Sequence, residues 1–210
     1  MRVGYQGVHG AFSEMACLSF FQNVPFEEVS FSSFIAMFEA LCRHEVDYAL
    51  FPVENTTTGL ISRTYDHFHE YNVHITGEIN IPIIQNLITL PGSALADIRE
   101  VYSHPEALSQ CQKFFDAHPD IKPVAYEDTA LSVEYIKSLN DPSRAAIASE
   151  RAAQYYGMKI LLPSLQENSS NMTRFLCVSD REETVEDADK ISIRLVLKHI
   201  PGALYSALGL

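Results

Sequence analysis

The feature that most restricts the fold is an alternation, run through twice, of short β-rich stretches and amphipathic helical ones. Tyr48-Ala49-Leu50-Phe51-Pro52-Val53 is almost continuously apolar, the mark of a strand covered on both faces. Ahead of it, residues 2–5 and 29–31 read as strands, and each leads into a helix. The first helix begins near Ser13, with Glu14 in its first turn where an acid is favoured. The second is capped by Ser32 or Ser33, and its Phe34, Met37, Phe38 and Leu41 recur at i, i+3, i+4 and i+7. Another helix is expected over residues 56–69. A second series follows, with strands at 100–102, 123–126 and 145–148. Their helices are expected at 105–116, where Pro105 suits a first helical position, from about Asp128, and at 150–156, stopped by Gly157. Repeated βα units predict an α/β fold of parallel sheets covered by helices. The extended stretch 73–90, broken by Pro82, is expected to cross between two lobes.

A chain of 210 residues that is 47% apolar and 20% charged can bury a proper core. Its net charge of -12 argues against a nucleic-acid partner, which needs a basic face. Much of the acidity is local: residues 180–189 hold six acids and one base and read as a solvated linker. Beyond it, residues 191–197 alternate like a strand and open something new. The four cysteines form no metal-ligand spacing, and their apolar neighbourhoods predict buried free thiols in a reducing compartment. No apolar run approaches the ~20 residues needed to cross a bilayer, and nothing resembles a signal peptide, so a soluble cytoplasmic protein is expected.

In parallel α/β lobes, ligands bind where strands end and helices begin. Four polar clusters fall at such places: residues 7–13, 54–59, 103–105 and 168–174. Gly4, Gly7 and Gly10 lack the spacing of a dinucleotide fingerprint, and no P-loop lysine follows. Asn55, at the end of a buried strand, can bind a ligand or simply cap the next helix. Ser103 has the same two uses ahead of Pro105. His104 is an acid/base candidate by type, without a partner in sequence. Gln110 lies about two turns beyond Ser103 and shares a face with the helix start. Arg174 is one of nine arginines in an acidic chain. It can grip a carboxylate bidentately or pair with a distant acid.

Taken in order, these clusters resemble prephenate dehydratase, over nearly the whole chain. The resemblance rests on Gly4-Tyr5-Gln6-Gly7 with Gly10-Ala11-Phe12-Ser13-Glu14, on Pro52-Val53-Glu54-Asn55-Thr56 with Gly59, and on Ser103-His104-Pro105-Glu106-Ala107-Leu108 with Gln110-Cys111. Asp128-Thr129-Ala130, Ala145-Ala146-Ile147-Ala148-Ser149 and Asn171-Met172-Thr173-Arg174-Phe175 complete it. It implies two lobes like the type II periplasmic binding proteins, with parallel or mixed sheets, helices on both faces and an active site in the inter-lobe cleft. It implies conversion of prephenate to phenylpyruvate, water and carbon dioxide for phenylalanine biosynthesis, by a lyase that needs no cofactor and no metal. The family's catalytic threonine falls on Thr173, and its other polar positions fall on Asn55, Ser103 and Gln110. Arg174 and a helix N-terminus at Asn55-Thr56 are expected to hold the substrate carboxylates, with Phe175 walling an apolar pocket for the scissile one. His104 is the rival acid.

The resemblance divides the chain into a catalytic domain over 1–180, an acidic linker over 181–190, and the start of an incomplete ACT regulatory domain over 191–210. Within the catalytic domain, one lobe is expected at about 1–77 plus 168–180 and the other at about 78–167. A dimer or tetramer is expected, with no inhibition by phenylalanine for the chain as it stands. Arogenate dehydratase is the alternative enzyme, and a non-catalytic anion-binding module of the same fold is the alternative of a different class.

Overall fold

The computed structural model describes residues 1–183, 188–193 and 195–209. Its first sheet collects β1 (Arg2–Gln6), β2 (Glu27–Phe31), β3 (Tyr48–Asn55), the short β4 (Gly59–Leu60) and β5 (His74–Pro82). Helices α1 (Phe12–Phe20), α2 (Phe34–Cys42) and α3 (Ser62–His67) connect them. The second sheet is built from β6 (Asn86–Thr89), β7 (Glu100–Ser103), β8 (Lys122–Ala125), β9 (Arg144–Ala148) and β10 (Lys159–Leu162). Its helices are α4 (Pro105–Ser109), α5 (Gln112–Ala117), α6 (Thr129–Leu139) and α7 (Glu150–Tyr156). The chain then returns to the first sheet as β11 (Met172–Ser179), and α8 (Ala203–Leu208) stands apart.

Both sheets follow one scheme. The first has the order β2-β1-β3-β11-β5, with β1 parallel to β2 and β3 and with β11 antiparallel to both of its neighbours. The second has the order β10-β6-β9-β7-β8, with β7 parallel to β8 and β9 and with β6 antiparallel to β9 and β10. In each lobe the antiparallel inner strand is the one that enters directly after a crossing of the chain. The sheets are therefore mixed. β5 lies wholly in the first sheet, so the chain crosses after Pro82 rather than near residue 78. The two crossings run side by side: Ile83 N donates to Asn171 O at 2.8 Å and Leu165 N to Gln85 O at 2.7 Å.

Each sheet has an apolar cluster on either face. Phe38, Leu41, Phe51 and Val178 pack beneath α2, while Val3, Tyr5, Leu50, Phe175 and Cys177 pack beneath α1. This two-sided burial is what the continuous apolar run of β3 demands. In the second lobe the α4–α5 side buries Leu87, Val101 and Ile147, and the α6–α7 side buries Ile88, Val133 and Ala146. Helix starts are capped as the residue types allow: Ser33 accepts from Ala36 N, Asp128 from Ala130 N and Leu131 N, and Ser149 from Ala152 N.

Several expectations need correction. No helix starts at Thr56. Asn55 Oδ1 accepts from Thr57 N at 2.8 Å and Thr58 N at 3.0 Å, and Gly59 takes φ +81, so residues 55–60 fold back as a turn and a short strand. The helix expected over 105–116 is two, separated at Gln110 and Cys111. The described part of 191–197 forms no strand: Ile191, Ile193 and Val196 are exposed, and no described strand lies alongside to pair with them. Of the acidic run, 184–187 lie outside the described residues, as does Arg194. No described helix is long and apolar enough to cross a membrane.

The cysteines also divide. Cys17, Cys111 and Cys177 are buried, but Cys42, at the end of α2, is exposed. Burial pushes the Cys111 and Cys177 thiols up to about 12. A water-soluble disulfide reagent is therefore expected to titrate one thiol per native chain rapidly and the remaining three only after unfolding; a second fast thiol would contradict this packing.

Candidate active site

The carboxyl ends of β1 and β3 in one lobe face those of β7 and β9 in the other. At the end of β3, Asn55 pairs in register with Thr173 of β11, which also lies opposite Ile81 of β5. Because Asn55 Oδ1 is taken by two turn N–H groups, its Nδ2 must be the donor. It donates to Thr173 Oγ1 at 2.9 Å and to Asn171 Oδ1 at 2.8 Å. Asn171 Nδ2 then donates to Gln110 Oε1 at 3.1 Å, and Gln110 Nε2 to Glu106 Oε1 at 3.3 Å. This ladder of amides runs from the second lobe to Thr173, each rung oriented by the one before. Thr173 Oγ1 is thereby an acceptor for Asn55, and its hydrogen has no acceptor among the described residues, which leaves it available to a ligand. A cavity of about 200 Å³ borders the ladder at Gln110 and Asn171, where Thr57, Gln166, Glu167 and Asn168 also line it; Thr173 and Asn55 are not part of its wall.

Strand alternation separates the rest of the motif. Thr173 shares a face with Phe175 and Cys177, which pack under α1, whereas Arg174 shares the opposite face with Leu176 and Val178. There Arg174 Nε donates to Glu78 Oε2 at 2.8 Å, and Lys190 pairs with the same carboxylate. Hydrogen bonds from Lys190 and Arg174 hold Glu78 below its ordinary 4.5. The distant acid that Arg174 could meet is thus Glu78, and the arginine is not brought to Thr173. It borders a larger cavity, about 850 Å³, shared with Tyr65, Phe68, Glu78 and Lys190. That space lies on the wrong face of the sheet to involve Thr173 or its amides.

Three other expected contacts are placed differently. Ser103 is fully buried and its Oγ donates to Ile147 O at 2.5 Å, tying β7 to β9; His104, not Ser103, caps α4, by accepting from Glu106 N. Phe175 is a core side chain, 2% exposed. Thr56 Oγ1 accepts from Met172 N at 3.0 Å and donates to Ser170 O at 3.3 Å, so it fastens the turn to the returning chain and presents no helix N-terminus. Of the expected set, Asn55, Gln110 and Thr173 are brought together. Asn171 and Glu106 complete the ladder; both stand inside motifs already legible in sequence, but only the fold shows which way they point. Gln85, 3% exposed at the first crossing, has a buried Oε1 with no partner among the described residues, and nothing local in the sequence marks it.

On the other side of the cleft the lobes touch directly. Ser149 Oγ donates to Gly10 O at 2.5 Å, the His9 and Tyr155 rings stack at 4.7 Å, and Arg151 reaches the fully buried Glu14 at 3.3 Å. Burial alone would push Glu14 up, but hydrogen bonds from His9, Gly10 N–H, Glu28 and Arg151 hold it below 4.5; burial and that same contact with Glu14 push Glu28 up. His9, Glu14 and Glu28 bring ligand atoms within 4.8 Å of one another, as a metal site would, but the Arg151 guanidinium already neutralises Glu14.

Comparison with known proteins agrees with this arrangement. A family model described as Prephenate dehydratase matches residues 3–183. "Arogenate dehydratase/prephenate dehydratase 2, chloroplastic" of Arabidopsis thaliana is 37% identical over all of this chain and 55% of its own length. The bifunctional chorismate mutase/prephenate dehydratase of Aquifex aeolicus is 36% identical over 99% of this chain and 57% of its own. The chain thus spans about half the length of the curated relatives it matches. Among solved structures, a prephenate dehydratase in complex with L-Phe from Arthrobacter aurescens superposes with a TM-score of 0.84 at 26% identity, over 99% of this chain and 71% of that one. A quorum-quenching acylase, GqqA, gives the same score and identity over 100% of this chain and 76% of its own. With the two-lobed mixed sheets, the motifs in order and these matches in agreement, the chain belongs to the prephenate dehydratase family.

Proposed function

We propose that this chain is a lyase that converts prephenate to phenylpyruvate, water and carbon dioxide at Thr173, in the cleft between the lobes. The observation that carries the reading is the bond from Asn55 Nδ2 to Thr173 Oγ1, which turns the hydroxyl into a fixed donor. Prephenate is a non-aromatic diene. As the bond to its ring carboxylate breaks, that electron pair enters the ring, the carbon–oxygen bond to the hydroxyl breaks, and a benzene ring forms. Carbon dioxide leaves neutral, and the departing oxygen takes up one proton to become water. The reaction runs downhill, so orientation and a donor at the leaving oxygen supply most of what is needed. Thr173 donates that hydrogen bond, with the proton drawn ultimately from water. Along the ladder of hydrogen bonds that leads back from Thr173, the first titratable group among the described residues is Glu106. Free thiols suit a reducing setting such as the cytoplasm.

Some relatives are named for arogenate and others for prephenate, and the residues of the ladder serve either substrate. The test is to follow product formation from each under the same conditions and compare kcat/KM. A clear preference for prephenate supports the reading, and a preference for arogenate replaces it with the sister reaction. Tight binding of either without turnover would make the chain a non-catalytic binding module. A kcat for prephenate that is flat from about pH 5.5 to 8 is expected; a fall as the pH rises across that range would point to a titrating general acid, with His104 the first residue to replace.

A further inference from the structure

The two sides of the cleft are joined by different means. On one side Gln110 of the second lobe meets Asn171 through a neutral amide contact. On the other, α1 and α7 meet through charge. Glu14 is 0% exposed, and a buried carboxylate is costly unless its oxygens are met by donors. Its own lobe supplies Gly10 N at 2.7 Å, His9 Nδ1 at 2.9 Å and a hydrogen bond from Glu28. From the opposite lobe comes Arg151, through Nε at 3.3 Å and Nη2 at 3.4 Å, and all of its described hydrogen bonds go to this carboxylate. Opening the cleft therefore strips Glu14 of the guanidinium that the opposite lobe supplies, while closing it restores the pair.

We infer that Glu14 and Arg151 are positioning residues: their ion pair holds the lobes closed and so sets the separation at which Gln110 meets Asn171 and, through it, Asn55 and Thr173. Neither residue touches that ladder, and both act through lobe geometry. The kinetic form of the inference rests on the dehydratase reading; the closure itself does not.

The test uses Arg151→Met, which keeps an apolar stem and removes the charge, and Arg151→Lys, which keeps the charge but loses the fork. With the pair removed, open forms compete with the closed one, and the apparent KM rises by the inverse of the closed fraction while saturating substrate still closes the lobes. Arg151→Met is expected to raise KM for prephenate about ten-fold with kcat within about two-fold of the parent, and Arg151→Lys to fall between. Without substrate, amide hydrogen exchange at residues 10–14 and 149–152 is expected to quicken in Arg151→Met while that of β3 and β9 is unchanged. An unchanged KM, or a fall in kcat at constant KM, overturns the positioning role. If the parent protein does not turn over prephenate, the functional reading fails alone, and exchange still decides closure: unaltered exchange at those loops overturns it. Should Arg151→Met not fold, Arg151→Lys is held to the same measurements.

Discussion

Thr173→Ala is expected to lower kcat for prephenate by about 100- to 10,000-fold, the range lost when a positioned proton or hydrogen-bond donor is removed. The geometry makes this a loss of chemistry and not of fold. Thr173 is 8% exposed, at the cleft end of β11, and among the described side chains its hydroxyl hydrogen-bonds Asn55. Asn55 Nδ2 keeps Asn171 Oδ1 at 2.8 Å and Met172 O at 3.1 Å in the variant. The stability cost should thus stay near about 1 kcal/mol, the usual net worth of one hydrogen bond. Thr173→Ser retains the donor and should keep most of kcat. Steady-state phenylpyruvate formation, with circular dichroism to verify folding, distinguishes these outcomes. An alanine variant as active as the parent would move the donor elsewhere, and His104 would be replaced next.

Gly10→Ala should produce the largest loss of stability. Gly10 adopts φ +93, which side-chain-bearing residues rarely take, and an added Cβ would lie 2.6 Å from Ala152 Cα and 2.7 Å from its Cβ. The obstructing atoms belong to the backbone and first carbon of α7, so they cannot swing aside as a flexible side chain could. Backbone strain and overpacking together are expected to cost on the order of 3 kcal/mol. That corresponds to a fall in Tm of roughly 10 °C for a chain of this size. Relief by separation of the lobes would break the Ser149 to Gly10 bond, so KM should rise with the loss of Tm. Gly92→Ala is a fitting control: it also has positive φ, +96, but nothing within 4 Å of the added carbon, and it should lose less. Equal losses at the two positions would mean that the lobes are not in contact at Gly10.

Much of the fold could be read locally because its signals are local. The buried run 48–53, the spacing of Phe34, Met37, Phe38 and Leu41, and the caps Ser33 and Asp128 each state their structure within a few residues. The errors arose where two local signals competed. Asn55 is both a good helix cap and a good turn former, and Gly59 four residues on settles the matter for the turn. Residues 105–116 have helical periodicity throughout, but the chain breaks it so that Gln110 can meet Asn171, 61 residues away. Residues 191–197 alternate like a strand, yet a strand exists only beside a partner, and none of the described strands adjoins them.

For the site, the motifs in their order carried the family resemblance, and that resemblance grouped Thr173, Asn55 and Gln110, with Ser103, as expected site residues. The motifs could not determine which residue faces the cleft. Adjacent residues of a strand point to opposite faces, so Thr173 is delivered to the amide ladder and Arg174, one peptide bond on, to Glu78. Choosing between those faces requires knowing that β11 lies between β3 and β5, with α1 on one side and α2 and α3 on the other, which is settled only when the chain returns from the second lobe. The pairing of Glu14 with Arg151 is of the same kind: 137 residues separate them, and it takes both lobes folded and closed to bring a buried carboxylate to a guanidinium from across the cleft.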